Sequence, residues 1–176
     1  MGFIIESKIV DAIRSGSYLY LGNMGDPKFN MYNMIKLIPH MPKPDVIFHD
    51  QQERFQMTGL EKQTRIPRTI KNVIKDLSTV FYKNNITLHV YASLSENSVG
   101  HIHADNMDVV YLQGYGDVDW TIWDNVNGEN MLYEKRLEPG DIIYVPKGVA
   151  HRSAPASYHR IGFSFGAEGK ASIKYV

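Results

Sequence analysis

The sequence predicts a mainly β protein, a sandwich or barrel flanked by N-terminal helices, and three observations carry that expectation. From Ile86 onward, short apolar or alternating runs are separated by turn residues, the signature of many brief strands. Before that point, Pro67 to Lys83 carries Ile70, Val73, Ile74, Leu77, Val80 and Phe81 at three- and four-residue spacing, which predicts a helix laid against a sheet. The chain has 176 residues, 43% hydrophobic and 22% charged, which is enough for one core and excludes a disordered chain. The expected organisation is one domain, with residues 1–85 as a helical and short-strand region packing on the barrel and residues 86–176 as its core.

The elements follow in order. Glu6 to Ile13 has a short helical stripe at Ile9, Val10 and Ile13, and Tyr18 to Leu21 and Val46 to Phe48 read as brief strands. Near Asn84-Asn85 the chain changes character. Ile86 to Ala92 alternates and leads into a polar loop, Ser-Leu-Ser-Glu-Asn-Ser; Asp108 to Leu112 and Trp120 to Trp123 are the next strands. Asn127-Gly128 predicts a type I′ hairpin joining Trp120–Trp123 to Met131–Arg136, because both central residues of that turn need positive φ. Pro139-Gly140 and Pro146-Lys147-Gly148 are further turns around the strand Ile142 to Val145, and Arg160 to Phe165 is the last clear strand.

Composition removes several function classes. Nineteen Lys plus Arg balance nineteen Asp plus Glu, so no global charge draws the chain to nucleic acid. The basic run Lys62, Arg65, Arg68, Lys71 and Lys75 reads as a solvated helix face. With no Cys, disulfides, thiolate metal sites and cysteine nucleophiles are excluded, and any metal must be held by His, Asp or Glu. No apolar run approaches the roughly 20 residues that span a bilayer, which leads to the expectation of a cytoplasmic protein without a membrane.

Three of the seven His lie close to other polar candidates in the strand-rich half: His101 and His103 beside Asp105, and His151 after a turn. In an extended segment alternate side chains share a face, so His101, His103 and Asp105 would point the same way. Two imidazoles and a carboxylate on one face of an octahedral metal leave three positions open, as non-haem Fe(II) oxygenases require. Spacing alone equally admits ordinary hydrogen-bonded histidines, since His-x-Asp is short and common.

Longer motifs sharpen the choice. Gly140-Asp-Ile-Ile-Tyr-Val-Pro146-Lys-Gly148-Val-Ala-His151 resembles the second cupin motif, with Pro155 where that motif has Asn. His101-Ile-His103 followed by Asp108 matches the first cupin motif less closely. His103-Ala-Asp105-Asn-Met-Asp108-Val-Val-Tyr-Leu-Gln113-Gly-Tyr-Gly116-Asp-Val-Asp-Trp120 is similar to the metal-binding segment of the JmjC-type cupin hydroxylases, above all their ribosomal-protein hydroxylase branch. The resemblance runs from about Ile86 to Gly166. It implies a cupin fold, the double-stranded β-helix or jelly-roll barrel, holding Fe(II) and 2-oxoglutarate, with His103, Asp105 and His151 as iron ligands and catalytic centre.

One position departs from the family. Its members usually carry Lys or Arg two residues before the Trp, pairing with the distal carboxylate of 2-oxoglutarate, and this chain has Val118 there. An unpaired buried carboxylate would cost several kcal/mol, so the anchor must sit elsewhere. Arg160 is the expected substitute: Arg160-Ile-Gly-Phe-Ser164-Phe resembles the Arg-x-Ser segment of other 2-oxoglutarate oxygenases, and a guanidinium presents a planar fork to a carboxylate. If Arg160 faces inward, alternation places Gly162 and Ser164 beside it and Phe163 and Phe165 outward. Of the strand aromatics Tyr111, Trp120, Trp123, Tyr144, Phe163 and Phe165, most are expected in the core. Tyr111 and Tyr144 are candidate co-substrate contacts through their hydroxyls, with Thr121 a weaker third.

These readings lead to an Fe(II)- and 2-oxoglutarate-dependent dioxygenase, a hydroxylase of a protein side chain or a small molecule, with demethylation open to the same chemistry. Two alternatives stand beside it: a cupin metalloenzyme without 2-oxoglutarate that uses His101, His103 and His151, and a non-catalytic cupin that only binds a small ligand. Whether Asp105 or His101 joins the other two histidines separates the first alternative from the leading reading.

Overall fold

The computed structural model describes residues 2–22, 24–25, 28–40, 46–49, 53–81, 85–96 and 99–167. Helix α1 (Gly2–Ser15) is followed by β1 (Leu19–Leu21), α2 (Met31–Leu37), β2 (Val46–His49), β3 (Arg54–Met57) and α3 (Arg68–Val80). The strand-rich half supplies β4 (Ile86–Ser93), β5 (His103–Ala104), β6 (Asp108–Tyr115), β7 (Val118–Trp123), β8 (Met131–Leu137), β9 (Ile142–Val145), β10 (Ala150–Pro155) and β11 (Arg160–Ala167). Among the described residues these strands form a seven-stranded sheet, ordered β1-β9-β6-β11-β4-β3-β2, and a four-stranded sheet, ordered β5-β10-β7-β8. The paired strands run antiparallel, and from β4 onward the chain passes back and forth between the sheets, with only the β7–β8 hairpin staying in one, as in the double-stranded β-helix expected from the motifs.

Alternation gives the large sheet two different faces. Its outer face presents Leu88, Val90 and Ala92 from β4, Val110 and Leu112 from β6, and Phe163 and Phe165 from β11. Ile9 of α1, Met34 and Leu37 of α2, and Ile70 and Leu77 of α3 cover that face in one apolar cluster. Its inner face turns Tyr111, Ile143 and Val145 toward Val118, Trp120 and Ile122 of the small sheet, forming a second cluster between the sheets. The predicted helix is present one residue later than its Pro suggests: Pro67 is the N-cap, at φ −54° and ψ 145°, because a proline can precede a helix without losing a hydrogen bond. Tyr82 and Lys83, the end of the predicted stripe, lie outside the described residues, as do Asn97 and Ser98 of the polar loop.

Two local expectations are corrected. The Asn127-Gly128 turn is not type I′, because Gly128 has φ 73° while Asn127 is not left-handed. Instead residues 124–130 form a longer loop, closed by Asp124 N donating to Asn130 O at 3.0 Å and by the Asn125 side chain accepting from Asn127 N at 2.9 Å. The extended segment around the first histidines is shorter than predicted, pairing only at His103–Ala104. Sequence periodicity also passed over α2, β3 and β10. β3 is short and carries Arg54 and Gln56 on the face that alternation leaves free of the helices. No helix among the described residues is long and apolar enough to cross a membrane.

Phe81 follows α3 and is 1% exposed within the helix-covered cluster. Phe81→Ala should therefore lose about 3 to 5 kcal/mol of stability, read as a shift in the urea unfolding midpoint at unchanged slope. A variant that unfolds with the parent would show that this side chain is not part of the core.

Candidate metal centre and its cavity

Strand register brings the predicted metal ligands together. His151 of β10 stands directly opposite His103 of β5, so their side chains leave the same face of the small sheet with ring centroids 4.4 Å apart. Asp105 follows β5 at once. Its carboxylate oxygens lie 3.9 Å from His103 Nε2 and 3.4 Å from His151 Nε2. Among the described residues, His103, Asp105 and His151 are the group whose ligand atoms all fall within 4.8 Å of one another. His101 lies outside it.

The backbone sets the chemistry of both rings. His103 Nδ1 lies 2.9 Å from His101 O, and His151 Nδ1 lies 2.9 Å from Val149 O. A carbonyl only accepts, so each Nδ1 carries the hydrogen and Nε2 is the ring nitrogen that each histidine turns toward Asp105. The Asp105 carboxyl is held below its ordinary range, first by its hydrogen bond with His151, with burial acting against this. Trp120 stacks on His151 at 5.3 Å and 16°, fixing the plane of the buried ring, while His103 remains half exposed at the opening. Two imidazole nitrogens and a carboxylate are a donor set suited to a divalent first-row metal with open positions.

The three residues border a cavity of about 360 Å3 that runs between the sheets and is also lined by Arg54, Tyr91, Tyr111 and Arg160. Arg160 faces inward as expected and is 3% exposed. A chain of hydrogen bonds holds it: Arg160 Nη1 donates to Tyr111 Oη at 2.9 Å, and Tyr111 Oη donates to Gln113 Oε1 at 2.8 Å. Gln113 Nε2 in turn donates to the carbonyls of Tyr115 and Gly116 at 2.8 and 2.6 Å. Burial pushes the Tyr111 hydroxyl above its ordinary pKa, opposed by the positive charge of Arg160. Arg160 Nε nevertheless has no hydrogen-bond partner and is buried, so part of this guanidinium is left for a ligand.

Alternation along β11 also holds. Ser164 lines the cavity beside Arg160, while Phe163 and Phe165 lie in the helix-covered cluster, Phe163 edge-on to Phe29 at 5.0 Å. The space at Gly162 is taken by Tyr111: a Cβ built there would lie 1.7 Å from Tyr111 Oη. Val118 is fully buried in the cluster between the sheets and does not line the cavity.

Two candidates sit elsewhere. Tyr144 pairs with Val110 on the helix side of the large sheet, and its hydroxyl donates to Asp108 Oδ1 at 3.1 Å, because residues 143 and 145 take the inward positions of β9. Thr121 alternates with the inward Trp120 and Ile122; its hydroxyl accepts from Trp123 Nε1 at 3.0 Å and donates to Arg152 O at 3.4 Å. Neither lines the cavity. Sequence reasoning missed Arg54, Gln56 and Tyr91. The inward phase of β4 pointed to Tyr91, whereas no local signal marked β3.

Gly162 generates a direct test. Gly162→Ala should force Tyr111 off Arg160 and cost on the order of 1 to 3 kcal/mol of stability. Adding Tyr111→Ala removes the atom that clashes, so the second substitution should cost less in Gly162→Ala than in the parent. Additive losses in the thermal midpoints of the four proteins would contradict the packing described.

The family model described as JmjC domain matches residues 60–175, more than half of the chain. No curated protein sequence matches it. Among solved structures, the ribosomal oxygenase YcfD from Escherichia coli, in complex with cobalt and 2-oxoglutarate, superposes with a TM-score of 0.68 at 17% identity over 89% of this chain and 50% of that one. The chain thus spans about half the length of YcfD. SnoN, described as a non-haem α-ketoglutarate-dependent epimerase from nogalamycin biosynthesis, superposes with a TM-score of 0.66 at 9% identity, over 93% of this chain and 82% of that one. With the fold shared and the family model spanning α3 and the strands that carry both histidines, the chain belongs to the JmjC domain family.

Proposed function

We propose that the protein is an Fe(II)- and 2-oxoglutarate-dependent oxygenase that hydroxylates a protein side chain or a small molecule. The observation that carries the reading is the convergence of His103, Asp105 and His151, rather than His101, on one point at the mouth of a cavity floored by a buried arginine. YcfD and SnoN are described with 2-oxoglutarate chemistry on the same fold, which supports the same co-substrate here. YcfD as a ribosomal oxygenase favours a protein substrate, while SnoN supports a small molecule.

In this reading His103, Asp105 and His151 hold the iron through Nε2, a carboxylate oxygen and Nε2. Bound iron and 2-oxoglutarate supply dioxygen activation coupled to oxidative decarboxylation, leaving succinate and carbon dioxide. Arg160 holds the distal carboxylate, replacing the basic residue that Val118 displaces, and Tyr111 keeps its guanidinium aimed. Trp120 keeps the buried His151 ring in plane and shields that side of the centre from water.

Separate binding measurements test each part. Asp105→Ala should abolish or sharply weaken Fe(II) binding, and His101→Ala should be mild; the reverse order would favour the cupin that uses three histidines. Losing half of a desolvated charge pair costs about 3 to 5 kcal/mol, so Arg160→Ala should weaken 2-oxoglutarate binding by roughly two or more powers of ten while metal binding survives. A parent protein that binds metal yet neither takes up 2-oxoglutarate nor forms succinate would overturn the oxygenase reading.

Metal affinity should also fall as pH drops below about 6, where imidazoles in general take up protons and stop coordinating. Asp105, held below its ordinary value, stays ionised through that window. Affinity that stays flat from pH 7 to pH 5 would contradict imidazole ligation.

A further inference from the structure

The cavity contains a second arginine that the assignment above leaves without a task. Arg54 of β3 and Arg160 of β11 both pair with Ser93 of β4, so the three side chains stand in one row across three strands and share the inner face. Arg54 and Arg160 both line the cavity, and the Nε of each is buried without a hydrogen-bond partner, as are Ser93 Oγ between them and Trp120 Nε1 on the facing sheet. Among the described residues, Asp105 is the acidic side chain that lines this cavity, and no carboxylate forms an ion pair with Arg54. The Arg54 guanidinium lies 6.0 Å from the Tyr91 ring centre. Asp105 acts to raise the Tyr91 hydroxyl pKa while both arginines act to lower it, which places all these charges around one space.

Charge balance then points to a ligand. A divalent metal and Arg160 bring three positive charges, and Asp105 with the two carboxylates of 2-oxoglutarate brings three negative ones. Arg54 remains over. A partly buried cation with an unsatisfied N–H in a cavity shared with another cation is costly unless an anion arrives. Resting on the 2-oxoglutarate reading, we propose that the substrate oxidised in this cavity carries an anionic group, a carboxylate, that seats on Arg54. The planar fork of Arg54 would hold this group on the β3 side of the cavity, away from the metal, so that the rest of the substrate extends toward His103 and Asp105.

The test uses acetate and acetamide, which match in size and differ in charge, titrated into protein loaded with Co(II) and saturating 2-oxoglutarate and followed by NMR. Acetate should bind at least tenfold tighter than acetamide without displacing 2-oxoglutarate. That preference should fall below threefold in Arg54→Gln and persist in Arg54→Lys, while the 2-oxoglutarate affinity of Arg54→Gln stays within threefold of the parent. Equal binding of the two probes by the parent would overturn the proposal, and it does so even if a variant fails to fold. A tenfold or greater loss of 2-oxoglutarate affinity in Arg54→Gln would also overturn it, by assigning Arg54 to the co-substrate. A parent that binds Co(II) but no 2-oxoglutarate would instead overturn the oxygenase reading on which the charge balance rests.

Discussion

The cavity depends on keeping a guanidinium charged and aimed inside a protein. Arg160 sits at the start of β11 with almost no solvent contact, and a buried cation is costly wherever its donors lack acceptors. The acceptor here is the Tyr111 hydroxyl, whose own hydrogen is taken by Gln113, whose amide is fixed in turn by the carbonyls of Tyr115 and Gly116. Each member of this chain has its donor and acceptor directions set by the next, so the arginine cannot swing without unpairing the whole row. Gly162 belongs to the same constraint. Its missing side chain is the space that the Tyr111 ring occupies.

The candidate metal ligands obey a different rule, that of register. His103 and His151 meet because two short strands pair antiparallel with these residues opposite each other, although 48 positions separate them in the chain. Backbone carbonyls two residues earlier then fix both Nδ1 atoms, which is why the two rings present the same nitrogen to one point. Thus the rigid part of the centre is main chain and sheet. Asp105 needs only to leave β5 in the right direction to complete the group.

Val118 marks a place from which the cavity draws no charge. In the segment that resembles the JmjC hydroxylases, the position two residues before Trp120 is apolar, and the structure packs it with Trp120 and Ile122 between the sheets. A cation at that point would have to displace this packing. The positive charge of the cavity enters instead from the opposite sheet, through β11 and β3, and the presence of both Arg54 and Arg160 makes the cavity more cationic than one dicarboxylate requires.

How much of this was legible in the sequence follows from the range of the interactions. The strands β4, β6 to β9 and β11 and the helices α1 and α3 announce themselves by local periodicity, and the His-x-Asp spacing with the Gly-Pro-Gly-His motif singled out the candidate ligands, because these signals are carried by neighbouring residues. Arg160 was legible by alternation on a strand with small inward neighbours. Tyr144 and Thr121 were misplaced because period two tells which residues share a face but not which face looks inward; that is decided by where the helices dock. Asn127-Gly128 was misread because the loop is closed by side chains of Asp124 and Asn125, which lie outside the dipeptide. Arg54 was invisible for the same physical reason on a larger scale. Nothing near it in the chain distinguishes it from a surface arginine, and only the pairing of β3 with β4 sets it in line with Ser93 and Arg160. The sequence by itself determined the strand-rich fold and the candidate ligand set, since both are local; tertiary structure alone decided the charge inside the cavity, since that charge is assembled from strands far apart in the chain.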